Sequence, residues 1–506
     1  MECKGCPLPC FDTLSYFHRF RWVYCQLEAL RHCLAPCVRR ILAELPDTLD
    51  ETYERVLREI NKANREHARR LLQCLTVAVR PLRVEELAEV LAIDFDAPAH
   101  GGIPQLNPDW RWTDHHQAVL SACASLIAIV VDDEGSQVVQ FTHFSVKEYL
   151  TSDRLSRSSV DVSRYHIVLE PAHTILAQAC LGVLLRLEDH VNREDVRDIP
   201  LVEYAAQYLF DHAQFGSVSS RIRNAMEYFF DADKPHWPAW CRVQTINEPW
   251  DSFTPHERRD YAFPLYYASL GGFYDLAEHL VGKHPEHIDA RGDLLVTPLV
   301  AALHGKYFQV AELLHRHHAN VDVRGSWQHT PLYVACNDGV LDIAQWLLNH
   351  GADVNTQNQE CWTPLHAAAD HGRLRALQIL IEHSADTDIR SDLGKSPLHI
   401  AATAQNKSNH VDVMRFLLDH GSNPNARDDV DATPLHHSSW WERSELSSRQ
   451  GTVEGTRLLL KHGAIVDAED KEGKTPLQLA LEHERHDIAA CLLEHGATPR
   501  NIESTD

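Results

Sequence analysis

The chain has 506 residues, a formal charge of −24 at pH 7, 44% hydrophobic residues and 24% charged residues. A length of that order exceeds what one hydrophobic core supports, so roughly two to four domains are expected. The acidic balance argues against nucleic acid or an anionic membrane as partner, since both require a clustered positive face.

The 13 cysteines follow little regular spacing, and the start Met1-Glu2-Cys3-Lys4 has no signal-peptide layout. The apolar runs Leu126 to Val131 and Ile175 to Leu185 are too short to span a bilayer. Together these features predict a reducing, cytoplasmic (or nuclear) setting with free thiols and no membrane insertion. Residues 1–17 form an unmatched leader. Cys3, Cys6 and Cys10 are closely spaced there, but a zinc site usually needs a second ligand pair at defined spacing. Cys25, Cys33 and Cys37 could supply one, yet Cys25 lies inside a helical pattern, so no metal is expected.

Residues 18–62 read as helices. Leu45-Pro46-Asp47-Thr48-Leu49-Asp50-Glu51 opens one of them, with Thr48 and Glu51 at capping-box spacing and Tyr53, Val56, Leu57 and Ile60 as its apolar stripe. A helix follows over His67 to Ala78, and another starts at Arg80-Pro81-Leu82-Arg83 and reaches Leu91. Leu126 to Val131 and Gln137 to Thr142 read as strands joined by the turn Asp132-Asp133-Glu134-Gly135-Ser136, and Phe144 to Leu150 returns to helix. Helices followed by a strand hairpin predict a winged helix over 63–155, with a helical spacer over 156–256.

From Pro264 to Pro476 one phrase recurs seven times. The prolines of Phe263-Pro264-Leu265-Tyr266, Thr297-Pro298-Leu299, Thr330-Pro331-Leu332-Tyr333, Thr363-Pro364-Leu365-His366 and Ser396-Pro397-Leu398-His399 lie 34, 33, 33 and 33 residues apart. Thr433-Pro434-Leu435-His436 follows after 37 and Thr475-Pro476-Leu477 after 42. In the third unit Thr330 is an N-cap, Pro331 occupies the first helical turn, and Leu332 and Ala335 face inward. Asp338-Gly339 breaks the helix. Ile343, Ala344, Leu347 and Leu348 give the apolar face of a second helix, which Gly351 ends. A period near 33 built on T-P-L-H is similar to the ankyrin repeat, and it predicts seven stacked units over 257–506.

Many of the 34 histidines sit in the T-P-L-H and His-Gly positions, where hydrogen bonds to backbone groups of the adjacent repeat are expected. Two insertions interrupt the period, Gln405-Asn406-Lys407-Ser408-Asn409 and Ser438 to Gln450. The second holds Trp440-Trp441, either a packing anchor or a binding hot spot. Cys491, Leu492 and Leu493 close to the chain end leave the last repeat without a markedly polar cap.

Phe20-Arg21-Trp22-Val23-Tyr24-Cys25-Gln26-Leu27, then Leu45 through Leu57, resembles the C-terminal end of a NACHT module. Phe141-Thr142-His143-Phe144-Ser145-Val146-Lys147-Glu148-Tyr149-Leu150 and Ser163-Arg164-Tyr165-His166 continue the likeness. From about residue 18 the chain resembles fungal NACHT–ankyrin proteins, signal-transducing NTPases related to NOD-like receptors. The resemblance implies a nucleotide-switched NTPase, a winged helix, a helical spacer and an ankyrin array that senses a partner. It also implies that His143 is the position that senses nucleotide.

The sequence departs from that family where nucleotide would bind. Gly394-Lys395-Ser396 and Gly473-Lys474-Thr475 lack the earlier glycine of a phosphate loop, with Ile389 and Ala468 in its place. Ile129-Val130-Val131-Asp132-Asp133-Glu134 imitates a magnesium-binding strand end but reads as the wing turn. His143 is therefore vestigial, no cofactor is expected, and the chain begins after the ATPase core, as a truncated product or a natural remnant. G-x-S-x-G, H-E-x-x-H and paired C-x-x-C motifs are lacking, so no enzyme is expected. Glu85, Glu86 and Glu89 on the helix after Pro81 would repel DNA phosphates.

The fold expected is mostly α: a winged-helix module and helical spacer followed by an ankyrin-repeat solenoid. Its expected function is protein recognition at turn tips. Arg324, Trp327, Gln359, Trp362, Arg390, Asp392, Arg427, Asp428, Glu469 and Lys471 stand there, together with Trp440 and Trp441. Trp327 leads, because a tryptophan at a turn tip is costly to expose without a partner, whereas Trp362 could pack on its neighbour and each charged tip could be solvated.

Overall fold

The computed structural model describes residues 48–95, 104–123, 125–188, 198–246, 263–292, 297–403, 409–439 and 450–499. The chain divides into two units, Met1–Pro264 and Leu265–Asp506. The N-terminal cysteine cluster, residues 405–408 of the first insertion, and Trp440-Trp441 lie outside the described residues.

In the first unit, α1 (Leu49–Glu59) starts where Thr48 accepts a hydrogen bond from the Glu51 amide at 3.2 Å. It buries Tyr53 and Leu57. Next come α2 (Arg65–Val77), β1 (Leu82–Arg83), α3 (Val84–Val90), the short hairpin β2 (Ile93–Asp94) and β3 (Gln105–Leu106), and α4 (His115–Cys123). The wing is β4 (Ile127–Val131) and β5 (Gln137–Phe141), antiparallel with Ile129 opposite Val139. β1 pairs on the other side of β5, Leu82 opposite Val139, giving the sheet order β1-β5-β4. Three helices and a three-stranded sheet make the winged helix, with Leu71, Leu72, Leu82, Val84, Leu87 and Val119 fully buried between them.

Two expectations are corrected here. The helix expected from Arg80 begins only at Val84, because Leu82 and Arg83 are drawn into the sheet. Glu86 and Glu89 do not face outward, where they would meet phosphates. Glu86 is fully buried with Arg80 Nη2 at 2.6 Å and Arg83 Nη2 at 2.9 Å, and Glu89 is buried against Arg111. Paired burial of this kind is structural, and it ties the start of α3 to the preceding turn.

Beyond the wing, α5 (Phe144–Leu150), α6 (Asp153–Ser156) and α7 (Val160–Ser163) lead into α8 (Leu169–Leu184). The spacer continues with α9 (Val202–Ala213), α10 (Val218–Arg221), α11 (Arg223–Phe229) and α12 (His236–Ile246). Phe229, Phe230, Trp237 and Trp240 pack as a buried aromatic cluster. A partly buried polar thread links α8 and α9: Val79 N–H donates to Tyr204 Oη, which lies 2.9 Å from His212 Nε2, and His212 Nδ1 lies 2.9 Å from His173 Nδ1. Burial pushes His212 down to about 3, which keeps it neutral.

The second unit is a stack of seven helix pairs: α13 (Pro264–Leu270) with α14 (Tyr274–Lys283), α15 (Pro298–His304) with α16 (Phe308–Arg316), α17 (Pro331–Asp338) with α18 (Leu341–Asn349), α19 (Pro364–Asp370) with α20 (Leu374–Glu382), α21 (Pro397–Thr403) with α22 (His410–Asp419), α23 (Pro434–Ser439) with α24 (Gln450–Lys461), and α25 (Pro476–Glu482) with α26 (His486–Glu494). Both insertions therefore fall between the two helices of a repeat. Thr330 caps α17, and Gly339, at φ +77°, ends it in the left-handed conformation. Leu299, Leu332, Leu365, Leu398, Leu435 and Leu477 are all buried between repeats, and small neighbours such as Ala368 and Ala401 let the inner helices approach.

Two hydrogen-bond ladders join the repeats. In the first, the threonine or serine amide donates to Nδ1 of the T-P-L-H histidine, whose Nε2–H donates to the next repeat. The acceptors are Lys395 O for His366 at 3.0 Å, Ala432 O for His399 at 3.2 Å and Lys474 O for His436 at 3.2 Å. This is the adjacent-repeat bonding expected of the T-P-L-H histidines, whereas the His-Gly histidines His350, His420 and His495 instead bond carbonyls four residues back in their own helices. In the second, Asp289, Asp322, Asn355, Asp388, Asn425 and Asp467 each accept from a backbone amide 31 to 40 residues ahead. The bonds of the first ladder are the more buried ones, each contributing about 1 kcal/mol net, while those of the second lie exposed.

Candidate functional site

The turn tips between repeats share one geometry. Gly325, Asn358, Ser391, Asp428 and Asp470 each donate a backbone N–H to the carbonyl four residues on, closing a hairpin. The fourth residue of each tip sits at positive φ: Gln328, Cys361, Gly394, Asp431 and Gly473. This accounts for the Gly-Lys-Ser and Gly-Lys-Thr strings as turn glycines. The tips are also bonded in series. Gln359 N–H donates to Trp327 O, Asp392 to Glu360 O, Asp429 to Leu393 O and Lys471 to Val430 O, at 3.0–3.2 Å.

This geometry sorts the expected contact residues. Arg324 Nη1 donates to Gln357 O at 2.8 Å, and Arg427 Nη1 to Glu469 O at 2.8 Å, so both guanidiniums stitch one repeat to the next while remaining exposed. Arg390 O accepts from Gln357 Nε2 at 3.1 Å, and Lys471 Nζ donates to Asp429 O. Gln359, Arg390, Asp392, Glu469 and Lys471 all have exposed side chains. Asp428 is corrected: it is 5% exposed, accepts from the Val430 and Ala432 amides, and lies 2.7 Å from His437 Nε2. It closes a turn from inside and presents nothing to a partner. Trp362 is half-buried, with its ring 5.9 Å from that of His366.

Trp327 is 67% exposed, and its backbone holds φ +57°, a region that costs a bulky residue energy. Leu393 and Val430 occupy the same register position in later tips and are 58% and 55% exposed. Sequence reasoning passed over these two. The signal was their place two residues beyond the tip's first residue, where Trp327 also stands. Near the Trp327 tip, the inner helices α13, α15 and α17 leave a cleft of about 410 Å³. Val300, Leu303, Val334 and Ile343 line it, with His304 and Asp338 as polar groups.

On the winged helix, His143 caps α5: its Nδ1 accepts from Ser145 N–H, and Ser145 Oγ lies 2.8 Å from Tyr53 Oη. The wing turn expected at Asp132 is present, with Asp132 accepting from the Glu134 and Ser136 amides. Seven described cysteines are free, six of them buried. Burial pushes Cys74, Cys123 and Cys336 up to about 12, which leaves them inert as nucleophiles. Among the described residues, no helix is long and apolar enough to cross a membrane.

Residues 265–358, 353–428 and 431–503 match the family model for ankyrin repeats (3 copies). Residues 54–161 match the family described as GPI inositol-deacylase, winged helix domain. Azaphilone pigments biosynthesis cluster protein L of Monascus ruber is 30% identical over 257 residues, 47% of this chain and 51% of that protein. The chain thus spans about half the length of this curated relative. With stacked helix pairs in the second unit and a three-helix, three-strand module in the first, the chain carries ankyrin repeats within residues 265–503 and a winged helix domain over 54–161.

Proposed function

We propose that the chain is a non-enzymatic recognition protein that binds a protein partner along the tips and inner helices of its ankyrin array. The observation that carries this reading is the strained, exposed Trp327 beside an apolar cleft, continued by Leu393 and Val430 at later tips. An apolar row held out by a backbone ladder is preorganised for contact. The setting we infer is intracellular signalling or self/non-self defence of the NOD-like receptor type, with the winged helix acting within the protein and nucleic acid playing no part. A photo-crosslinking residue at position 327 or 334 should form adducts with a partner in cells. The same residue at Arg375, on an exposed outer helix, should not. Equal labelling from all three positions refutes the reading.

A second reading is that the chain is part of a nucleotide-switched NACHT receptor. It is favoured by the half-exposed position of His143 at the α5 N-terminus. An immunoblot against the array separates the two. A band near 57.5 kDa supports the adaptor, and a much larger one supports the receptor.

A further inference from the structure

One histidine cluster departs from the array's own pattern. In the third, fifth and seventh repeats the histidine at the end of the outer helix donates Nδ1–H to the carbonyl four residues back. His350 bonds Trp346 O at 2.7 Å, His420 bonds Phe416 O at 2.8 Å and His495 bonds Cys491 O at 2.8 Å. A glycine in the left-handed conformation follows each of them: Gly351, Gly421 and Gly496. In the first repeat the equivalent residue is His284, at the end of α14, and Pro285 replaces the glycine. The chain therefore turns into a short 3-10 segment, Pro285–His287, instead of a left-handed cap.

That substitution reorganises the side chains. Residues three apart eclipse in a 3-10 turn, so His284 and His287 are brought one above the other. Their rings are 5.1 Å apart and within 18° of parallel. Glu286 lies between them in sequence, and its Oε1 is 3.2 Å from His284 Nδ1 and 3.9 Å from His287 Nε2. One ligand atom from each of the three residues lies within 4.8 Å of the others. His284 Nε2 is buried without a hydrogen-bond partner. That ring nitrogen is therefore uncommitted to any group of the protein.

We propose that His284, Glu286 and His287 form a site for a first-row divalent transition metal of the zinc type, set at the end of the first repeat's outer helix. Two imidazoles and a carboxylate are the donor set that suits zinc, and they leave a fourth position for water or a partner's side chain. Ligands around such an ion stand about 3.3 Å apart, so closure asks for side-chain movement of about 1 Å in a turn whose backbone Pro285 already restricts. All three ligands come from four consecutive residues, so little chain entropy is lost on binding. The ion would fasten the first repeat's outer helix to its turn, at the end of the array where a solenoid frays most readily.

The test is zinc titration of the full chain by calorimetry, with melting followed in parallel. Expected is one saturable zinc equivalent that raises the melting temperature. His287→Ala and Glu286→Gln should each weaken it at least about tenfold, the loss seen on removing even an outer partner of a ligand. His350→Ala, in the ordinary pattern, should leave it intact. Glu286 is exposed, so Glu286→Gln tests the ligand without risk to the fold. No saturable equivalent, or one that survives both substitutions, overturns the site.

Discussion

The T-P-L-H ladder makes the array acid-sensitive in a way that one substitution can isolate. His366 is fully buried, accepts at Nδ1 from Thr363 and donates at Nε2 to Lys395 O, and burial pushes it down to about 4. A histidine held below its unfolded value near 6.5 contributes stability that is complete above that value and is lost as pH falls toward the folded value. Between 6.5 and 4 this one residue accounts for about 3 kcal/mol, of which roughly 2 kcal/mol is gone by pH 5. The seventh repeat offers a stand-in that does not titrate: Gln478 occupies the histidine position and caps Thr475, whose amide donates to Gln478 Oε1 at 2.8 Å. His366→Gln should therefore keep the cap and lose at most the inter-repeat bond, costing about 1 kcal/mol at pH 7.5. Urea unfolding of the full chain from pH 7.5 to 4.5, followed on the transition of the array, should then show a shallower decline for the variant. If the two curves fall in parallel, His366 is not the titrating group and the ladder does not carry the acid sensitivity.

Other perturbations separate packing from contact. Leu365→Ala opens a cavity between repeats at a residue only 1% exposed and should cost about 2–5 kcal/mol in urea melts, with less than about 1 kcal/mol refuting its interface role. Trp327→Gly relieves the positive φ and should raise stability by up to about 1 kcal/mol while weakening partner capture; a large loss of stability would make Trp327 a packing residue. Glu86→Ala removes the buried carboxylate shared by half-buried Arg80 and Arg83, with Arg83 keeping Glu203 at 2.8 Å, and should destabilise the winged helix by about 1–3 kcal/mol, read as an early thermal transition.

The repeat array was legible because its signals are local. Thr330, Pro331, Leu332 and Gly339 each act within their own helix, and stacking follows from the period. The wing hairpin was legible for the same reason. What escaped depended on partners distant in sequence. Leu82 and Arg83 are a strand only because Val138 and Val139 lie alongside them, and α4, whose apolar residues form no clear stripe, carried no expectation at all. Glu86 and Asp428 read as surface charges, because nothing in their own segments announces Arg80 and Arg83 around the first or His437 against the second. At the candidate site, tip residues were recognised as tips. A tip guanidinium can reach either a partner or the next repeat, however, and only the 33-residue step from Arg324 to Gln357 O decides which.

That step also limits what a partner can read. The serial tip bonds use the backbone of every described tip from Trp327 to Lys471, and Arg324 and Arg427 brace it from the side. On the proposed reading a partner would meet a row set by its backbone ladder, with exposed side chains at one register position among those it could read. Along that row they run Trp327, Glu360, Leu393, Val430 and Glu472, apolar at three places and acidic at two. On the proposed reading, specificity would reside in that sequence of side chains. Exchanging Leu393 with Glu360 should then change the partner bound while leaving the melting curve nearly unmoved. Partner capture that is indifferent to the exchange would place recognition in the cleft at Val334 alone.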